Sequence, residues 1–550
     1  MANLRWLLSL VYLLAAIGVS STSFASEPPL IVLPEKNLSP TTNSNSLPPL
    51  SSDSVPESTD MITSIHFRGG TSFNLDMMAE YVTPLIGQVY DSEMVLEAVN
   101  KISERLQRAG YPLSFSTVGS NGFTNGQLTI TVIEGYVVRT EILVEDPVVV
   151  ERIEKIVSPV LNQRPGRSSE IERAIALIHR IPGYQFEINL PRPKTISGAT
   201  SLQIKAVDKR NFEPFAEYSM QQKGERNAAI GITFTPTRWF MDDMRLVGLL
   251  PMFDEDKRFY SASFAHTLGN KGFNSRLDLT YYSDQEAAKL PLNEFDIKVS
   301  NSLKRQSIMY SMAYPLLLSS SRQMNIVFSL LFEEEQGEYD FSLNNQHLGK
   351  FSEDIKYWFA SAKLESTQNW DSLTLGYQLG VHKSIDSLFS YRSNMFAEAP
   401  YEENMHYVDL FASVLYRLTP TLSLEARAEG IYSERQLVPS QRASYGGLNY
   451  GRAYEEGIIE GYKGFGAEVK ATHSQSFGLV SIGPFILWDY AEVTNDHLHS
   501  PVSRISSAAV GLGLSYKTHF YVSFDYANPL QDLDGLATQG VWNFRVSWKF

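Results

Sequence analysis

The C-terminal two-thirds of the chain alternates apolar and polar residues. From about residue 212 to the last residue, short alternating segments follow one another without any helical periodicity. In the last segment one face is wholly apolar or aromatic, and it consists of Trp542, Phe544, Val546, Trp548 and Phe550. A period of two residues predicts β-strands with one apolar face. Soluble sandwiches show the same alternation, so one strand alone does not decide the fold.

The connections between these segments alternate in length. Short ones lie near residues 317–323, 367–370, 418–421, 474–478 and 517–519. Long ones lie near residues 336–353, 385–403, 435–462, 493–503 and 529–540. Short turns at one end and long loops at the other are typical of a transmembrane antiparallel β-barrel. Counted from a first strand near residue 212, eight loops and seven turns predict sixteen strands over residues 210–550, with residues 295–316 forming one long strand.

Two units of similar layout precede the predicted barrel. Residues 61–135 and 136–209 each show the pattern strand, helix, helix, strand, strand. In the first unit, residues 91–110 place apolar side chains at helical spacing, whereas "GQLTITVIEG" alternates as a strand does. The repeated order predicts two small α+β domains in tandem.

The first 60 residues indicate export. Arg5 precedes an apolar run of 14 residues, and the small residues Ser23 and Ala25 complete a signal peptide over residues 1–25. The alternative is an uncleaved membrane anchor, for which the run is short. Residues 26–60 are rich in Pro, Ser, Asn and Thr, which predicts an extended linker.

Composition narrows the functional classes. A net charge of −14 argues against nucleic acid as a partner, and the absence of cysteine excludes disulfides and thiolate metal sites. The common signatures of serine hydrolases, zinc proteases and nucleotide-binding enzymes are missing, so we expect neither an enzyme nor a cofactor. His497 and His499 lie in a predicted outer loop, where solvated histidines are far more common than metal ligands, and no metal site is expected.

The longest predicted outer loop, residues 435–462 and hereafter loop 6, contains "GGLNYGRAYEEG". Its glycines permit tight turns and close backbone approach, so the loop could fold back into the barrel. Arg452 would then need a carboxylate partner, because an unpaired guanidinium is costly to desolvate. Asp489 faces the lumen by the strand alternation, and we predict a bidentate Arg452–Asp489 pair. The alternatives are a solvated Arg452 and an Asp489 that, like Asp525, merely lines the lumen; Tyr454 could pack beside the guanidinium or face water.

The residues around Arg452 resemble a known family. "GRAYEEGIIEGYKGFGAEV" resembles the sixth-loop motif of the Omp85 superfamily, specifically of the two-partner secretion transporters of haemolysin-activator and filamentous-haemagglutinin transporter type. "RGGTSF", "RAGYPLSF" and "GQLTITVIEG" resemble their first POTRA domain, and "IERAIALIHRIPG" their second. "SSAAVGLGLSY", "VSFDYANPL" and the terminal Phe550 resemble their closing strands. Two departures are Gly451-Arg452-Ala453 in place of Val-Arg-Gly, and the lack of a clear plug helix in residues 26–60.

The resemblance implies a fold and a mode of action. The expected fold is a transmembrane antiparallel β-barrel of sixteen strands in the outer membrane, preceded by two periplasmic α+β POTRA domains at residues 61–135 and 136–209. Arg452 and Tyr454 on loop 6 and Asp489 on the wall would lock or gate the lumen. Trp548 and Phe550 would form the C-terminal signal for membrane insertion.

The same resemblance implies the partners. The POTRA domains would capture an unfolded secreted exoprotein, such as an adhesin, a cytolysin or a growth-inhibition toxin, by β-augmentation. The chain would also contact outer-membrane lipid and, during biogenesis, the barrel-assembly machinery, and it would act as a monomer without a cofactor.

Three alternatives remain at this point. An assembly or insertion factor of the same superfamily would use similar loop chemistry, but would more often carry additional POTRA domains. A diffusion porin would give no reason for residues 60–209. A lipid hydrolase would need a Ser/His pair facing the bilayer, and none is evident in the sequence.

Overall fold

The structure is a computed structural model with two compact units, which meet in the sequence at Arg210 and Asn211. It describes residues 60–549 except 75, 223–225, 237–241, 251–256, 293–294, 344–345, 395–400, 495–501, 518 and 532–538. The predicted signal peptide, the linker up to residue 59, His497, His499 and Phe550 therefore lie outside the described residues.

The first α+β unit places two helices against a small sheet. Its strands are β1 (Ser64–Gly69), β2 (Phe115–Thr117), β3 (Phe123–Thr124) and β4 (Gln127–Ile133), and its helices are α1 (Asp76–Val82) and α2 (Ser92–Arg108). The sheet order is β1-β4-β2, with β1 parallel to β4 and with β3 paired to β4. Helix α2 begins after Asp91, whose side chain accepts the N–H of Glu93 at 2.8 Å. Its apolar stripe packs on the sheet, where Ile102 and Ile130 are fully buried.

The second α+β unit repeats this order of strands and helices. It consists of β5 (Tyr136–Leu143), α3 (Pro147–Val157), α4 (Ser168–His179), β6 (Tyr184–Asn189) and β7 (Ala199–Lys209). The sheet order is β5-β7-β6, and β5 runs parallel to β7. Asp146 caps α3 by accepting the N–H of Val148 at 3.1 Å, and Pro147 occupies the first helical position, where its missing N–H costs nothing.

The C-terminal unit is a closed barrel built from antiparallel neighbours. Its first strands are β8 (Phe212–Gln221), β9 (Arg226–Phe234), β10 (Asp243–Leu249), β11 (Arg258–Leu268), β12 (Phe273–Leu292), β13 (Phe295–Leu318), β14 (Arg322–Leu343) and β15 (Gln346–Asn369). It continues with β16 (Leu373–Ser384), β17 (Ser390–Ser393), β18 (His406–Arg417) and β19 (Leu422–Tyr432). After loop 6, which holds β20 (Ala443–Tyr445) and β21 (Ile459–Gly461), come β22 (Lys463–His473), β23 (Gln475–Phe477), β24 (Val480–Thr494), β25 (Val502–Tyr516), β26 (Phe520–Pro529) and β27 (Val541–Lys549).

Sixteen strand positions form the ring, as predicted. The short segments β17 and β23 extend the pairing of β15 and β24, next to which β16 and β22 already lie, so they add no position of their own. The ring closes where β27 pairs with β8, from Asn543 opposite Gln221 to Lys549 opposite Phe215. The predicted single strand over residues 295–316 is confirmed as β13. The predicted long loop over residues 336–353 is wrong, because β14 and β15 continue as a paired hairpin to Leu343 and Gln346.

The two faces of the barrel differ as the alternation predicts. On β24, Ile486 and Trp488 point outward and are exposed, whereas Leu487 and Asp489 point inward and are buried. Val510 on β25 is likewise exposed on the outer face. An apolar outer face next to a polar inner one is the pattern of a barrel that is solvated by lipid outside and by water inside. Within the described part of the chain, no helix is both long enough and apolar enough to cross a membrane.

Replacing Asp146 by alanine tests whether its side chain caps α3 in the second α+β unit. The change removes the cap of α3 and also the acceptor for the Tyr184 hydroxyl, which lies 3.1 Å from the carboxylate. We expect the local opening free energy of α3 to fall by about 1 kcal/mol. Hydrogen exchange of residues 147–157 in the full-length protein should accelerate by roughly fivefold. The control is Asp146→Asn, which keeps a capping oxygen; equal acceleration in both variants would contradict capping as the cause.

Candidate functional site in the barrel lumen

Loop 6 folds into the barrel lumen. It contains a short 3-10 turn (Pro439–Gln441) and the hairpin of β20 and β21. Gly446 and Gly451 adopt φ angles of 130° and 136°, which side-chain-bearing residues rarely adopt. A Cβ at Gly446 would lie 2.1 Å from the carbonyl oxygen of Glu455, so the hairpin closes only because this position is glycine. The glycine-rich excursion noted in the sequence is therefore a compact turn.

Three buried tyrosines pack loop 6 against the inner wall of the barrel. Tyr445, Tyr450 and Tyr454 are almost completely buried in one cluster with inward-facing wall residues such as Phe485 and Ile505. The wall leaves room for them at Gly464 and Gly466 on β22. A Cβ at Gly466 would lie 2.7 Å from the ring of Tyr450. Glycine on the wall thus forms the recess into which the loop fits.

The guanidinium of Arg452 lies among carboxylates. Its Nη1 is 3.0 Å from Oδ2 of Asp525, and its Nη2 is 3.7 Å from Oε2 of Glu468. Glu468 also accepts two parallel bonds from Arg427, at 3.0 and 3.1 Å. Two guanidinium groups and two carboxylates therefore pair in a site where the Arg452 side chain is only 14 % exposed. Such pairing offsets the desolvation of each charge.

The predicted bidentate pair between Arg452 and Asp489 is corrected by this geometry. Oδ2 of Asp489 accepts the backbone N–H of Arg452 at 3.1 Å. Its Oδ1 accepts the N–H and the hydroxyl of Ser507, at 3.0 and 2.7 Å. Asp489 thus binds the backbone of Arg452 at the tip of loop 6. Asp525 binds the guanidinium, although the sequence indicated it only as a residue that lines the lumen. Alternation along a strand identifies lumen-facing carboxylates, but it does not rank them by distance from a loop atom.

The backbone of the tip also binds both strands at the closure of the barrel. Gln221 on β8 donates its side-chain N–H groups to the carbonyls of Arg452 and Tyr454, each at 2.9 Å. Asn543 on β27 donates to the carbonyl of Arg452 at 3.3 Å and to Asp525 at 2.9 Å. The loop tip therefore bridges the first and the last strand of the ring.

Tyr454 is fixed by its hydroxyl. That group lies 3.1 Å from the carbonyl of Ser506 and 2.6 Å from that of Gln531, so it meets the wall at the top of β25 and β26. The cation–π contact in this region is made instead by Arg427, which lies 5.6 Å from the centre of the Tyr450 ring. Gln221, Glu468 and Asn543 were missed by sequence reasoning. Their only signal was a polar side chain at an inward position, which many lumen residues share.

The proposed insertion signal is placed only in part. Trp548 lies on β27 and is 39 % exposed on its outer face, next to Ala216 of β8. Aromatic residues at the outer face near strand ends are common in membrane barrels. Its role in insertion stays a prediction.

A serine, histidine and aspartate also meet in the lumen wall. The Oγ of Ser361 lies 2.7 Å from Nδ1 of His382, and Nε2 of His382 contacts Asp409. These residue types occur in hydrolase triads, which also need free N–H donors for an oxyanion. Ser361 and His382 are cross-strand partners, and β16 pairs with β18 on its other side, so the backbone N–H groups here serve the sheet. We interpret the row as a polar cross-strand contact; it faces the lumen and not the bilayer.

Among the described residues, no group of three or more His, Asp or Glu side chains is arranged to hold a metal ion. The two histidines considered in the sequence lie outside those residues.

Comparison with known proteins gives one domain match and a shared fold. Residues 61–135 match the POTRA domain of ShlB type. The solved structure of CdiB from Escherichia coli is similar to this chain with a TM-score of 0.65 and 16 % identity, covering 92 % of this chain and 93 % of that one. CdiB from Acinetobacter baumannii is similar with a TM-score of 0.58 and 13 % identity, covering 89 % and 90 %. A comparison with curated protein sequences found no match.

A methyl group at Gly466 should displace the loop tip. In Gly466→Ala the new Cβ would overlap the Tyr450 ring, and relieving an overlap of this kind costs about 1–3 kcal/mol. We expect residues 446–456 to lose protection in hydrogen exchange while the barrel stays folded. The control is Gly430→Ala on β19, where the nearest atom to the added Cβ is 3.4 Å away. Equal protection of the loop in Gly466→Ala and wild type would show that the recess is not needed.

Proposed function

We propose that this protein exports an unfolded partner polypeptide across the outer membrane, as two-partner secretion transporters do. Its ShlB-type POTRA domain and sixteen-stranded barrel support this proposal. The observation that carries the proposal is the combination of a POTRA domain with a closed barrel whose lumen holds a docked loop. A diffusion porin gives no reason for a POTRA domain. A transporter of a chain needs capture on one side and a controlled path through the wall.

The outer membrane is the proposed location. The outward-facing apolar residues of the barrel suit a hydrocarbon environment, and a closed ring leaves no strand edge to be satisfied by lipid. The POTRA domain at residues 61–135 and the second α+β unit at residues 136–209, which we assign as a second POTRA domain, would then lie in the periplasm.

Capture is assigned to the edges of the two small sheets. Strands β1 and β2 border the first sheet, and β5 and β6 border the second. An edge strand offers unpaired backbone groups to an extended peptide, so an unfolded exoprotein could be bound without a fixed sequence. The partner class is a secreted exoprotein such as an adhesin, a cytolysin or a growth-inhibition toxin.

The loop tip is assigned as the lock of the lumen. Arg452 is held through its side chain by Asp525 and Glu468 and through its backbone by Asp489, Gln221 and Asn543. A passing chain would have to share the lumen with this tip. The ion pairs therefore hold the tip at one defined position in the lumen, and export depends on that order.

The second candidate is an assembly or insertion factor for other barrels. That activity would require the first and last strands to part so that a new strand can be received. Here β27 and β8 are paired over seven positions, and loop 6 binds residues on both strands. This geometry favours passage through the lumen over passage through the seam.

Reconstitution distinguishes the two activities. The purified protein in liposomes would be offered either the urea-unfolded secretion domain of a secreted protein encoded in the neighbouring reading frame or an unfolded outer-membrane barrel. We expect the first substrate to become protease-protected inside the vesicles and the second to remain unfolded. Insertion of the barrel without protection of the secreted protein would contradict the proposal.

Removing the Arg452 side chain should impair export without unfolding the barrel. Arg452→Ala leaves Asp525 and Glu468 buried without this partner, and breaking a buried pair costs about 3–5 kcal/mol. We expect secretion of the partner to fall at least tenfold, while heat-modifiable migration on gels shows a folded barrel. The control is Arg452→Lys, which keeps the charge near Asp525 but loses the two-pronged reach, and should retain intermediate secretion. Wild-type secretion by the alanine variant would remove the lock hypothesis.

A further inference from the structure

Loop 6 contacts the barrel wall at a second place, through residues other than those around Arg452. The segment of residues 437–441, called here the loop base, precedes the hairpin of β20 and β21. Leu437 and Val438 are fully buried there, in a cluster with Tyr357 and Phe359 of β15. Burial of two aliphatic side chains without any exposure is typical of a specific packing contact.

Polar groups tie the loop base to the same wall. The hydroxyl of Ser440 donates to Oε1 of Glu335 at 2.5 Å and contacts the hydroxyl of Tyr357. Tyr357 in turn lies 2.5 Å from Glu333 and 2.9 Å from Glu335. Arg305 approaches the same two carboxylates at 3.5 and 3.4 Å.

The buried carboxylates of Glu333 and Glu335 explain why a hydroxyl group, that of Ser440, binds at this place. Glu333 and Glu335 share the single guanidinium of Arg305, and their side chains are only 8 % and 3 % exposed. Two carboxylates with one cation need further donors, because a buried carboxylate oxygen without a hydrogen bond is costly. The wall supplies the hydroxyl of Tyr357, and loop 6 supplies that of Ser440. A second contact of the base joins the Tyr407 hydroxyl to Gln441 at 2.8 Å.

The carboxylates Glu335 and Asp525, which bind the base and the tip, lie on opposite sides of the ring. Glu335 is on β14, whereas Asp525, the partner of Arg452, is on β26. In the ring of sixteen positions, β14 and β26 are eight steps apart in either direction. Neighbouring strands are about 4.8 Å apart, so roughly 38 Å of wall separates Glu335 from Asp525. The base also contacts Tyr407 on β18 and the tip Glu468 on β22, which are two positions apart in the ring. The two sites bind different carboxylates and use different hydrogen-bond partners, although Ile431 of β19 packs against both apolar clusters.

We propose that the loop base is a second, independent anchor of loop 6. Release of the Arg452 tip then frees only the hairpin, while the base stays docked on β14 and β15 through Ser440, Leu437 and Val438. A chain in transit would displace the tip, and the base would return it to the wall afterwards. This inference rests on the proposed export function for its purpose, but the anchor itself can be measured without any partner.

The absence of cysteine in the chain gives a direct test. Val438→Cys places a nearly isosteric thiol at a position with 0 % exposure in the base, and Ala453→Cys places one at a position with 4 % exposure at the tip. The purified full-length protein would be treated with a membrane-impermeant maleimide, and the rate of modification would be measured at each position. Heat-modifiable migration on gels would confirm a folded barrel in every variant.

Three further substitutions are placed in each thiol background. Arg452→Ala releases the tip. The double variant Tyr357→Phe with Ser440→Ala removes the two hydroxyl groups of the base contact, one on the wall and one on the loop. The matched control is Ser444→Ala, because this hydroxyl lies in the same loop but contacts Glu460 within the loop hairpin.

Independence of the anchors predicts a specific pattern. Arg452→Ala should accelerate modification at position 453 by about tenfold or more and leave position 438 within about twofold. The double variant Tyr357→Phe with Ser440→Ala should accelerate modification at position 438 and leave position 453 within about twofold. Ser444→Ala should change neither rate.

Two results would overturn the proposal. Equal acceleration at both positions in Arg452→Ala would mean that the tip and the base are released together. An unchanged rate at position 438 in the double variant Tyr357→Phe with Ser440→Ala would mean that the two hydroxyl groups do not hold the base in place. These outcomes are separate from the failure of export. A protein with two independent anchors that moves no partner into liposomes would count against the proposed function and not against the anchor.

Discussion

The structure depends on closing one sheet on itself. A strand in hydrocarbon must pair every backbone N–H and C=O group, because lipid offers no hydrogen bonds to an open edge. Here that requirement is met where β27 pairs with β8, at a junction between residues more than 300 positions apart in sequence. Once the ring is closed, alternation assigns each side chain to lipid or to the lumen, and the apolar outer face and polar inner face follow.

Closure also creates the environment in which loop 6 acts. A wall of sixteen strands encloses more space than its own side chains fill, so a loop can lie inside it. The tip residues enter that space with a guanidinium, which is stable there only because Glu468 and Asp525 meet it and Arg427 balances the second charge. The tip is also bound by Gln221 and Asn543, which lie on the two strands of the closure. The loop therefore depends on the closed ring, and in return it braces the junction.

Much of the fold could be predicted from the sequence, and the features that could not be predicted have a physical reason. Alternation such as that of the Trp542-to-Phe550 segment, together with connection length, predicted the barrel and its sixteen strands, since both follow from local chain geometry. The inward path of loop 6 was predicted from the glycines and the single arginine, Arg452, of "GGLNYGRAYEEG". The partner of Arg452 did not follow, because Asp489 and Asp525 have the same inward orientation and only the three-dimensional path of the loop separates them. The hairpin of β14 and β15 resembles a loop in the sequence because its polar residues, including Glu338 and Lys350, pair across strands that the sequence does not align.

The most direct test of the central claim is a disulfide across the closure. Glu217 and Ser547 are cross-strand partners on β8 and β27, and the chain has no other cysteine, so Glu217→Cys with Ser547→Cys should oxidise readily. Ser263→Cys with Ser547→Cys, on strands that are not neighbours, should not. The measurement is secretion of the partner exoprotein by the oxidised and the reduced protein. If the chain passes through a permanently closed ring, secretion is unchanged by the bond; loss of secretion that reductant restores would mean that the strands must part, and would contradict export through the lumen.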